Sequence, residues 1–506
     1  MNEQKGKFVK PAGAMGAMQK SDESPLLRYA KQNGGDENDL LKWRRRNGYY
    51  YQWLEKIYRF VVRPGSRVLH VGCECGDLLA AVKPAYGVGI DSDENAIAIA
   101  KRRFPHLNFL AADPQEFELN EKFDYVLICN SLGDWRDIQR VFERIYPLTD
   151  EHTRIVITYY NYLWEWVLRL GSSMGFRRPR RYQNWLPPQD IANLLNLGNF
   201  DVIRNDSFVL LPKWIWAISA FCNYILSLLP GFRVFNLVNL VVARRAARPR
   251  PDSDLSVSVI VPCRNERGNI EDAIKRTPDM GRETEIIFVD GNSTDGTAEE
   301  IENQIKKHPE RKIHLIHQGA GRGKGDAVRK GFAAATGDVL VILDADLTAP
   351  PEDLPKFFAA LRDGKGEFIN GSRLVYPMEK EAMRFLNLLA NKFFGALFSW
   401  LLGQRFRDTL CGTKMIRKSD YDVIAANRAY FGEFDPFGDF DIIFGAVKQN
   451  LKVVEVPVRY RARTYGQTNI SRFRHGWLLL KMSWIAFKKI KWLGRESRPI
   501  GRNKSQ

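Results

Sequence analysis

Short runs of apolar residues alternate with stretches of helical periodicity through most of this chain. Each run is followed by small or polar residues, as a buried strand is before a turn. Strands that alternate with helices are typical of α/β domains with a largely parallel sheet. The strands predicted in this way span residues 67–71, 87–90, 108–111, 124–129, 154–158, 257–261, 285–290, 312–317, 339–343 and 367–371.

A charged stretch that contains proline and lacks apolar periodicity, residues 243–254, interrupts this alternation. An apolar strand resumes at Val257, so we predict one α/β domain on each side, called here the first and the second domain. The polar N-terminal residues carry no signal peptide and are expected to be disordered. The predicted division is a tail at 1–40, the first domain at 41–246, a linker at 247–254, the second domain at 255–475 and a basic amphipathic tail at 476–506.

Composition and charge narrow the range of partners. The chain has 506 residues, of which 44% are hydrophobic, and this is enough for two sizeable cores. The net charge of +17 points to a nucleic acid, a membrane surface or phosphorylated substrates. No zinc-finger spacing, RNA-recognition signature or helix-turn-helix is visible, so we predict no nucleic-acid partner. The six scattered cysteines are typical of reduced thiols in a cytosolic protein.

The first domain contains a glycine-rich turn after its first strand, with Gly72 and Gly76, and its second strand ends in Asp91. Glycines at such a turn let the backbone approach a ligand closely. An acidic residue about 20 residues later, at the end of the next strand, can bind both hydroxyls of a ribose. The pattern therefore predicts a cofactor that contains a nucleoside.

Over residues 60–160 the first domain resembles the class I methyltransferases that use S-adenosylmethionine. His70 and Glu74 depart from the pattern, since the family has an acid and a glycine at these positions. An NAD-binding domain and a non-catalytic Rossmann-like scaffold are the alternatives. The resemblance implies that S-adenosylmethionine is bound by Gly72, Gly76, Asp91, Asp113 and Asn130.

In the second domain, three predicted strands end in polar residues. Asn265 and Glu266 follow the first of these strands, Asp290 ends the next, and Asp344 and Asp346 follow the fully apolar strand at 339–343. Alternate residues of an extended segment face the same way, so the last two carboxylates can approach one cation. Mg²⁺ or Mn²⁺ prefers such oxygens and leaves positions for substrate phosphates. The pattern predicts a divalent cation that screens a diphosphate leaving group.

The second domain closely resembles the family 2 glycosyltransferases of the GT-A fold, and among them the dolichol-phosphate mannose synthases and the bacterial polyprenyl-phosphate relatives. The resemblance implies an inverting transfer of a sugar from a nucleotide sugar to a polyprenyl phosphate. Besides the strand ends, it rests on residues 323–326, 344–352, 371–373, 407–414 and 455–463, with Gly466.

The resemblance also assigns residues to roles. Asp344 and Asp346 would hold the metal and the diphosphate, and Arg373 would act with them. Arginine suits phosphate because its planar guanidinium can donate two hydrogen bonds. The nucleotide sugar would be bound by Pro262, Asn265, Glu266, Asp290 and Lys324. The phosphates of donor and acceptor would be bound by Arg373, Arg461, Arg463 and Thr468.

The family pattern is not matched at every position. The relatives often have glutamine where Thr348 stands, which leaves a third metal ligand in question. They commonly have Ser-Lys at 468–469, and Arg472 or Arg474 could supply that charge. The relatives also have a second acid after the second strand of this domain. Gly291 and Asn292 stand there in this chain, which bears on which nucleotide base or sugar is bound.

The choice of acceptor follows from proton chemistry. A phosphate is already ionised at pH 7, so it needs no catalytic base, whereas a sugar hydroxyl does. Asp439 and Asp441 lie where such a base would be sought. A polyprenyl phosphate acceptor is the first interpretation, and a hydroxyl of a glycan is the alternative.

Three apolar segments could contact a membrane. Residues 214–232 lack charge but are only marginally long enough to span, and Pro230 and Gly231 interrupt them. A span would separate two domains that both need cytosolic donors, so we predict a packed or interfacial helix. The run at 393–402 is too short to span, and 477–493 suits a helix at the membrane interface.

We therefore predict a bifunctional peripheral enzyme at the cytoplasmic face of a membrane. One alternative keeps the glycosyltransferase and makes the first domain a scaffold or binding module. Another is a membrane or nucleic-acid interaction protein with remnant folds, which the set of acids and arginines in the second domain argues against.

Overall fold

The computed structural model describes residues 37–176, 183–247, 254–321, 323–376, 385–430, 440–463, 465 and 472–491. They form two mixed α/β sheets of seven strands each, one on either side of the predicted boundary. The predicted fold class, a Rossmann-like domain followed by a GT-A domain, is confirmed.

The first sheet has the strand order β3-β2-β1-β4-β5-β7-β6. Its first five strands run parallel, and β7 runs antiparallel to both β5 and β6. Each predicted strand of this half is present. The strands are β1 (Arg67–Val71), β2 (Tyr86–Asp91), β3 (Asn108–Ala111), β4 (Tyr125–Cys129), β5 (Arg154–Tyr160), β6 (Phe200–Phe208) and β7 (Val238–Arg245).

The last two strands of this sheet were not predicted. The charged stretch at 243–254 hid the end of the last of these strands, because β7 runs to Arg245, just before the linker predicted at 247–254. The arginines at 244 and 245 concealed the strand, although Arg244 is 4% exposed. Helices cover both faces of the sheet: α1 (Glu37–Arg46), α2 (Gly48–Val61), α3 (Asp77–Ala81), α4 (Glu94–Arg103), α5 (Ile138–Ile145), α6 (Glu165–Ser173), α7 (Pro188–Leu197), α8 (Trp216–Tyr224) and α9 (Pro230–Arg233).

The second sheet has the order β10-β9-β8-β11-β13-β12-β14. Here β13 runs antiparallel to both neighbours, and every other pair of neighbours is parallel. The central strands are buried along nearly their whole length, in accord with their mostly apolar sequences. The strands are β8 (Val257–Cys263), β9 (Thr284–Asp290), β10 (Lys312–His317), β11 (Val339–Ile342), β12 (Phe368–Ser372), β13 (Lys414–Arg417) and β14 (Val453–Pro457).

The helices of the second half pack on this sheet and against the first domain. They are α10 (Ile270–Arg276), α11 (Thr297–Lys307), α12 (Gly323–Ala334), α13 (Leu354–Arg362), α14 (Phe385–Leu402), α15 (Lys418–Ala426), α16 (Phe440–Lys448) and α17 (Arg472–Ala486), followed by a π-helical turn at Phe487–Lys491. Within the part of the chain that the structure describes, no helix is both long and apolar enough to cross a membrane.

The two halves share one continuous cluster of buried apolar residues. Buried charges also join them: Arg154 donates to Glu367 Oε1 at 2.6 Å and to the carbonyl of Asn450 at 2.9 Å. Burial alone would raise the pKa of Glu367, but the charges of Arg154 and Arg244 lower it. The two domains are therefore packed as one body along this interface.

The C-terminal helix takes part in the same interface. Leu479, Met482 and Ile490 are buried, and Lys491 Nζ donates to Asp206 Oδ2 of the first domain at 2.6 Å. Arg204 and Arg233 also pair with Asp206, at 2.9 Å and 2.6 Å. This group of one acid and three cations, called here the Asp206 cluster, connects β6 of the first domain to the π-helical turn that follows α17.

Candidate functional site

In the second domain, the parallel strands β8, β9 and β11 bring the predicted acids to one edge of the sheet. Cys263 at the end of β8 is in register with Asp290 at the end of β9. The strand order reverses between β8 and β11, and the crevice at such a point is where open α/β sheets bind ligands.

A single arginine joins two of the predicted site residues. Arg463 donates from Nη2 to Asp346 Oδ2 at 2.7 Å and from Nη1 to Glu266 Oε1 at 3.0 Å. Asn269 donates to the other Glu266 oxygen at 2.7 Å. Burial raises the pKa of Glu266, although Arg463 acts against it. The structure thus brings a residue predicted to bind phosphate into contact with one predicted nucleotide ligand and one predicted metal ligand.

The other acid of the pair is surrounded by positive charge. Lys324 Nζ lies 2.5 Å from Asp344 Oδ1. Burial would raise the pKa of Asp344, but Lys324, Lys414 and Arg373 lower it, so the carboxylate stays ionised. Gly412 packs against this carboxylate so closely that a Cβ there would collide with it.

Two of these residues had no role assigned from the sequence. Lys414 is buried and donates to the carbonyl of Cys411, and Gly412 is required by the packing on Asp344. Both residues lie in the motif at 407–414, so the sequence did mark this segment as part of the site. The positions of the residues in the motif do not show which acid they contact.

The turn that follows β11 fixes the second acid. Leu347 has a φ of 52°, an uncommon conformation for a residue with a side chain. The next residue, Thr348, donates to Asp346 Oδ1 from its amide at 3.1 Å and from its hydroxyl at 2.8 Å. Thr348 therefore orients Asp346.

The donor set suits a hard divalent cation that also binds phosphate. Two carboxylates stand at a strand end, and Lys324 and Arg463, which both bind phosphate well, flank them. Across the residues that the structure describes, no set of three or more histidine, cysteine, aspartate or glutamate side chains is placed to hold a metal. A cation held by Asp344 and Asp346 would have most of its coordination positions open to substrate oxygens and water.

The remaining predicted residues lie around this centre. Arg373 makes a two-pronged ion pair with the fully buried Asp408, at 2.7 Å and 2.8 Å. Asn265 accepts from the amide of Thr294 at 2.8 Å, and Asp290 accepts from that of Ser293 at 3.3 Å. Pro262 lies within β8, and the exposed Arg461 donates its amide to the carbonyl of Thr348 at 2.9 Å. Thr468, Asn469 and Asp439 lie outside the described residues.

The first domain brings its predicted residues to the carboxyl edge of its own sheet. Gly72 and Gly76 have φ values of 76° and 81°, and a Cβ on either would collide with Ser131 or Phe109. Asp91 accepts from the amides of Glu74 at 2.8 Å and Asp93 at 2.9 Å. Burial raises the pKa of Asp91 to about 6.

The neighbouring strand ends complete this edge. Asp113 is buried and accepts from the amide of Gln115 at 2.9 Å. Asn130, with a φ of 54°, donates to the hydroxyl of Tyr50 at 2.8 Å. Two acids at the ends of consecutive parallel strands suit the ribose hydroxyls and the amino group of an adenosine.

The two departures from the methyltransferase pattern have different consequences. His70 is 2% exposed, neither ring nitrogen has a hydrogen-bond partner, and burial lowers its pKa to about 3. It is therefore uncharged where the family has an acid. Glu74 has a φ of 47°, so it retains the left-handed backbone that a glycine would adopt, and its side chain is exposed.

Two protein families match this chain, one on each side of the domain boundary. Residues 258–424 match the family described as Glycosyl transferase family 2, and residues 69–154 match a methyltransferase domain. A dolichol-phosphate mannosyltransferase of Pyrococcus furiosus is 31% identical over 49% of this chain and 67% of its own. Glycosyltransferase AglJ of Haloferax volcanii is 31% identical over 46% of this chain and 71% of its own.

Among the solved structures that are similar to this chain is one of a methyltransferase. It is an S-adenosylmethionine-dependent methyltransferase from Mesorhizobium loti, with 16% sequence identity and a TM-score of 0.30, and the match covers 38% of this chain and 97% of that chain.

Proposed function

We propose that this chain is a bifunctional enzyme, because it belongs to glycosyl transferase family 2 and carries a methyltransferase domain ahead of that part. The second domain transfers a sugar from a nucleotide sugar to a polyprenyl phosphate with inversion. The first domain methylates an acceptor with S-adenosylmethionine. The enzyme works as a peripheral protein at the cytoplasmic face of a membrane, where both donors are available.

The observation that carries the transferase proposal is the paired arrangement of acids and cations at the end of β11. Arg463 links Asp346 to Glu266, and Lys324 pairs with Asp344. When a donor enters, these cations can turn from the carboxylates to the diphosphate, because phosphate oxygens accept the same charge-assisted hydrogen bonds. A Mg²⁺ or Mn²⁺ ion held by Asp344 and Asp346 would neutralise part of the leaving group's charge.

The reaction then needs little further chemistry from the protein. A phosphate oxygen of the acceptor forms a bond to the anomeric carbon from the face opposite the diphosphate, and the bond from that carbon to the diphosphate oxygen breaks. No proton has to be removed from the acceptor. Asp441, a candidate base for a hydroxyl acceptor, lies 3.2 Å from Arg428 Nε, which favours the phosphate over a glycan hydroxyl.

Incorporation of radiolabelled sugars into lipid tests this proposal. The full chain is incubated with Mg²⁺, a polyprenyl phosphate and each of a panel of nucleotide sugars, and the organic phase is counted. We expect metal-dependent label from one donor in the lipid. Label in a glycan or a protein, with none in the lipid, would overturn the choice of acceptor.

For the first domain, we predict that Asp91→Ala weakens the binding of S-adenosylmethionine by about 100-fold, since two charge-assisted hydrogen bonds to the ribose are lost. Isothermal titration calorimetry measures the affinity. Glu118→Ala removes an acid that is 82% exposed in the same domain and should leave the affinity unchanged. If the unmodified chain binds no cofactor, the first domain is a scaffold.

A further inference from the structure

The helix α8 of the first domain is polar on its inner side and apolar on its outer side. Ser219 is fully buried and Asn223 is 3% exposed, whereas Trp216, Ile218 and Phe221 are 80%, 56% and 51% exposed. Asn223 holds the preceding segment by hydrogen bonds to both the amide and the carbonyl of residue 211 at 2.8 Å. A helix that faces water has the opposite arrangement.

Other segments of the first domain also expose apolar side chains. In α6, Trp166 is 70% exposed and Leu170 is 54% exposed. Trp164 Nε1 donates to the carbonyl of Phe235 at 2.7 Å, which ties the start of α6 to the segment after α9. Exposed apolar side chains in this number mark a surface that contacts something other than water. The apolar face, as it is called below, consists of Trp166, Leu170, Trp216, Ile218, Phe221, Ile225 and Phe235.

A basic cavity of about 730 Å³ lies against the inner edge of α8. Arg45, Arg46, Lys56 and Lys213 line it, and no acidic residue does. None of the four forms an ion pair with a carboxylate of the described residues. Lys213 donates to Asn47 Oδ1 at 2.7 Å and Lys56 donates to the hydroxyl of Tyr224 at 3.0 Å.

The cations of this cavity have neutral partners: Arg46 donates to the carbonyl of Gly175 at 2.6 Å, and Lys56 lies over the rings of Trp53 and Tyr224. Burial, and then the positive charge of Arg46, lower the pKa of Lys213. An anion in the cavity would relieve this repulsion. Tyr49 and Trp214 pack together at its wall, with ring centroids 5.4 Å apart, and Trp214 is 61% exposed. Aromatic side chains with one polar and one apolar end are typical of the boundary between a membrane and water.

We propose that this cavity binds the phosphate group of an anionic membrane lipid, and that the apolar face contacts the lipid chains. Four lysine and arginine side chains suit a phosphate, and the apolar residues beside them suit the hydrocarbon next to it. A soluble phosphate would leave the apolar face in water. A second copy of the chain, paired through the same surface, would bring like charges together. The inference shares only the membrane with the proposed function and requires neither reaction.

Sedimentation of the full chain with vesicles tests the site without turnover. Vesicles of phosphatidylcholine with phosphatidic acid are compared with vesicles of phosphatidylcholine alone. We expect Lys56→Glu/Lys213→Glu to weaken binding to the anionic vesicles by about 30-fold, at the usual contribution of each basic residue near such a surface. Lys101→Glu/Lys306→Glu changes the net charge equally at exposed positions outside the cavity and should bind as the unmodified chain does.

Three further measurements separate the possible occupants. Trp216→Ser/Phe221→Ser should also release the chain from vesicles, and circular dichroism should show an unchanged fold because both side chains are exposed. Inorganic phosphate should compete only at high concentration, and competition as strong as that of lipid would make this a site for a soluble phosphate. Light scattering that shows a dimer, made monomeric by these substitutions, would assign the apolar face to self-association. Equal vesicle binding by the cavity variant and its control would also overturn the proposal.

Discussion

Asp346→Asn is expected to lower the rate of sugar transfer by about 10³-fold, because stabilisation of the leaving charge by a bound cation amounts to several kcal/mol. The substitution removes the charge that Asp346 presents to a cation and weakens the contact from Arg463. Thr348 loses the strong acceptor that fixes the turn after β11. The rate of label transfer from the productive nucleotide sugar to polyprenyl phosphate measures this effect.

Asp272→Asn is the matched control, since this aspartate is 62% exposed and lies on α10, where it forms a long ion pair of 3.8 Å with Arg276. We expect its rate to equal that of the unmodified chain. Thermal unfolding of both variants checks that the sites remain folded. A rate for Asp346→Asn within about threefold of the unmodified rate, far less than the stabilisation expected from a bound cation, would remove this residue from the reaction.

Asp206→Asn is expected to destabilise the chain by about 3–5 kcal/mol, the usual effect of removing one partner from a buried group of charges. Three cations, Arg204, Arg233 and Lys491, would then share an interior without their acid. Urea unfolding measures the free energy. Because Lys491 follows α17, limited proteolysis of that helix should become faster at the same time.

The pH dependence of this cluster follows from its charges. Burial alone would raise the pKa of Asp206, but Lys491, Arg204 and Arg233 lower it well below its usual range. Its contribution is therefore fully present above about pH 4, where an unfolded aspartate is ionised, and is lost as the pH falls through the lowered pKa. Glu118→Gln, at an exposed position, should unfold as the unmodified chain does. If the free energy of unfolding of Asp206→Asn equals that of the unmodified chain, the Asp206 cluster does not stabilise the contact between the domains.

The strands that could be predicted are those whose burial shows in their own sequence. β8, β9 and β11 are apolar along most of their length, and each was found within two residues of its bounds. β6 was missed because Arg204 and Asp206 occupy buried positions in it. Their burial depends on Lys491, 285 residues beyond Asp206, which no local pattern reveals. β13 and β14 were missed because Lys414 and Arg417 flank the two apolar residues of β13, and Glu455 interrupts those of β14.

The candidate sites could also be predicted only where the pattern is local in the sequence. The acids at strand ends could be predicted because parallel strands end at a common edge. The contacts of Arg463 could not, since Glu266 and Asp346 lie 197 and 117 residues away from it in the sequence. Arg45 and Arg46 are recognisable as basic residues in the sequence, but their place in a cavity depends on Lys213, which is brought to Asn47 from 166 residues away.

The Asp206 cluster also has a consequence during translation. The ribosome must add 285 residues after Asp206 before Lys491 exists. At about 5–20 residues per second this takes roughly 15–60 s, during which Asp206 lacks its lysine partner. The first sheet can form early, but its side chains in the shared apolar cluster lack their partners from the second domain until those residues are made. This interval is when we expect chaperones to engage the chain.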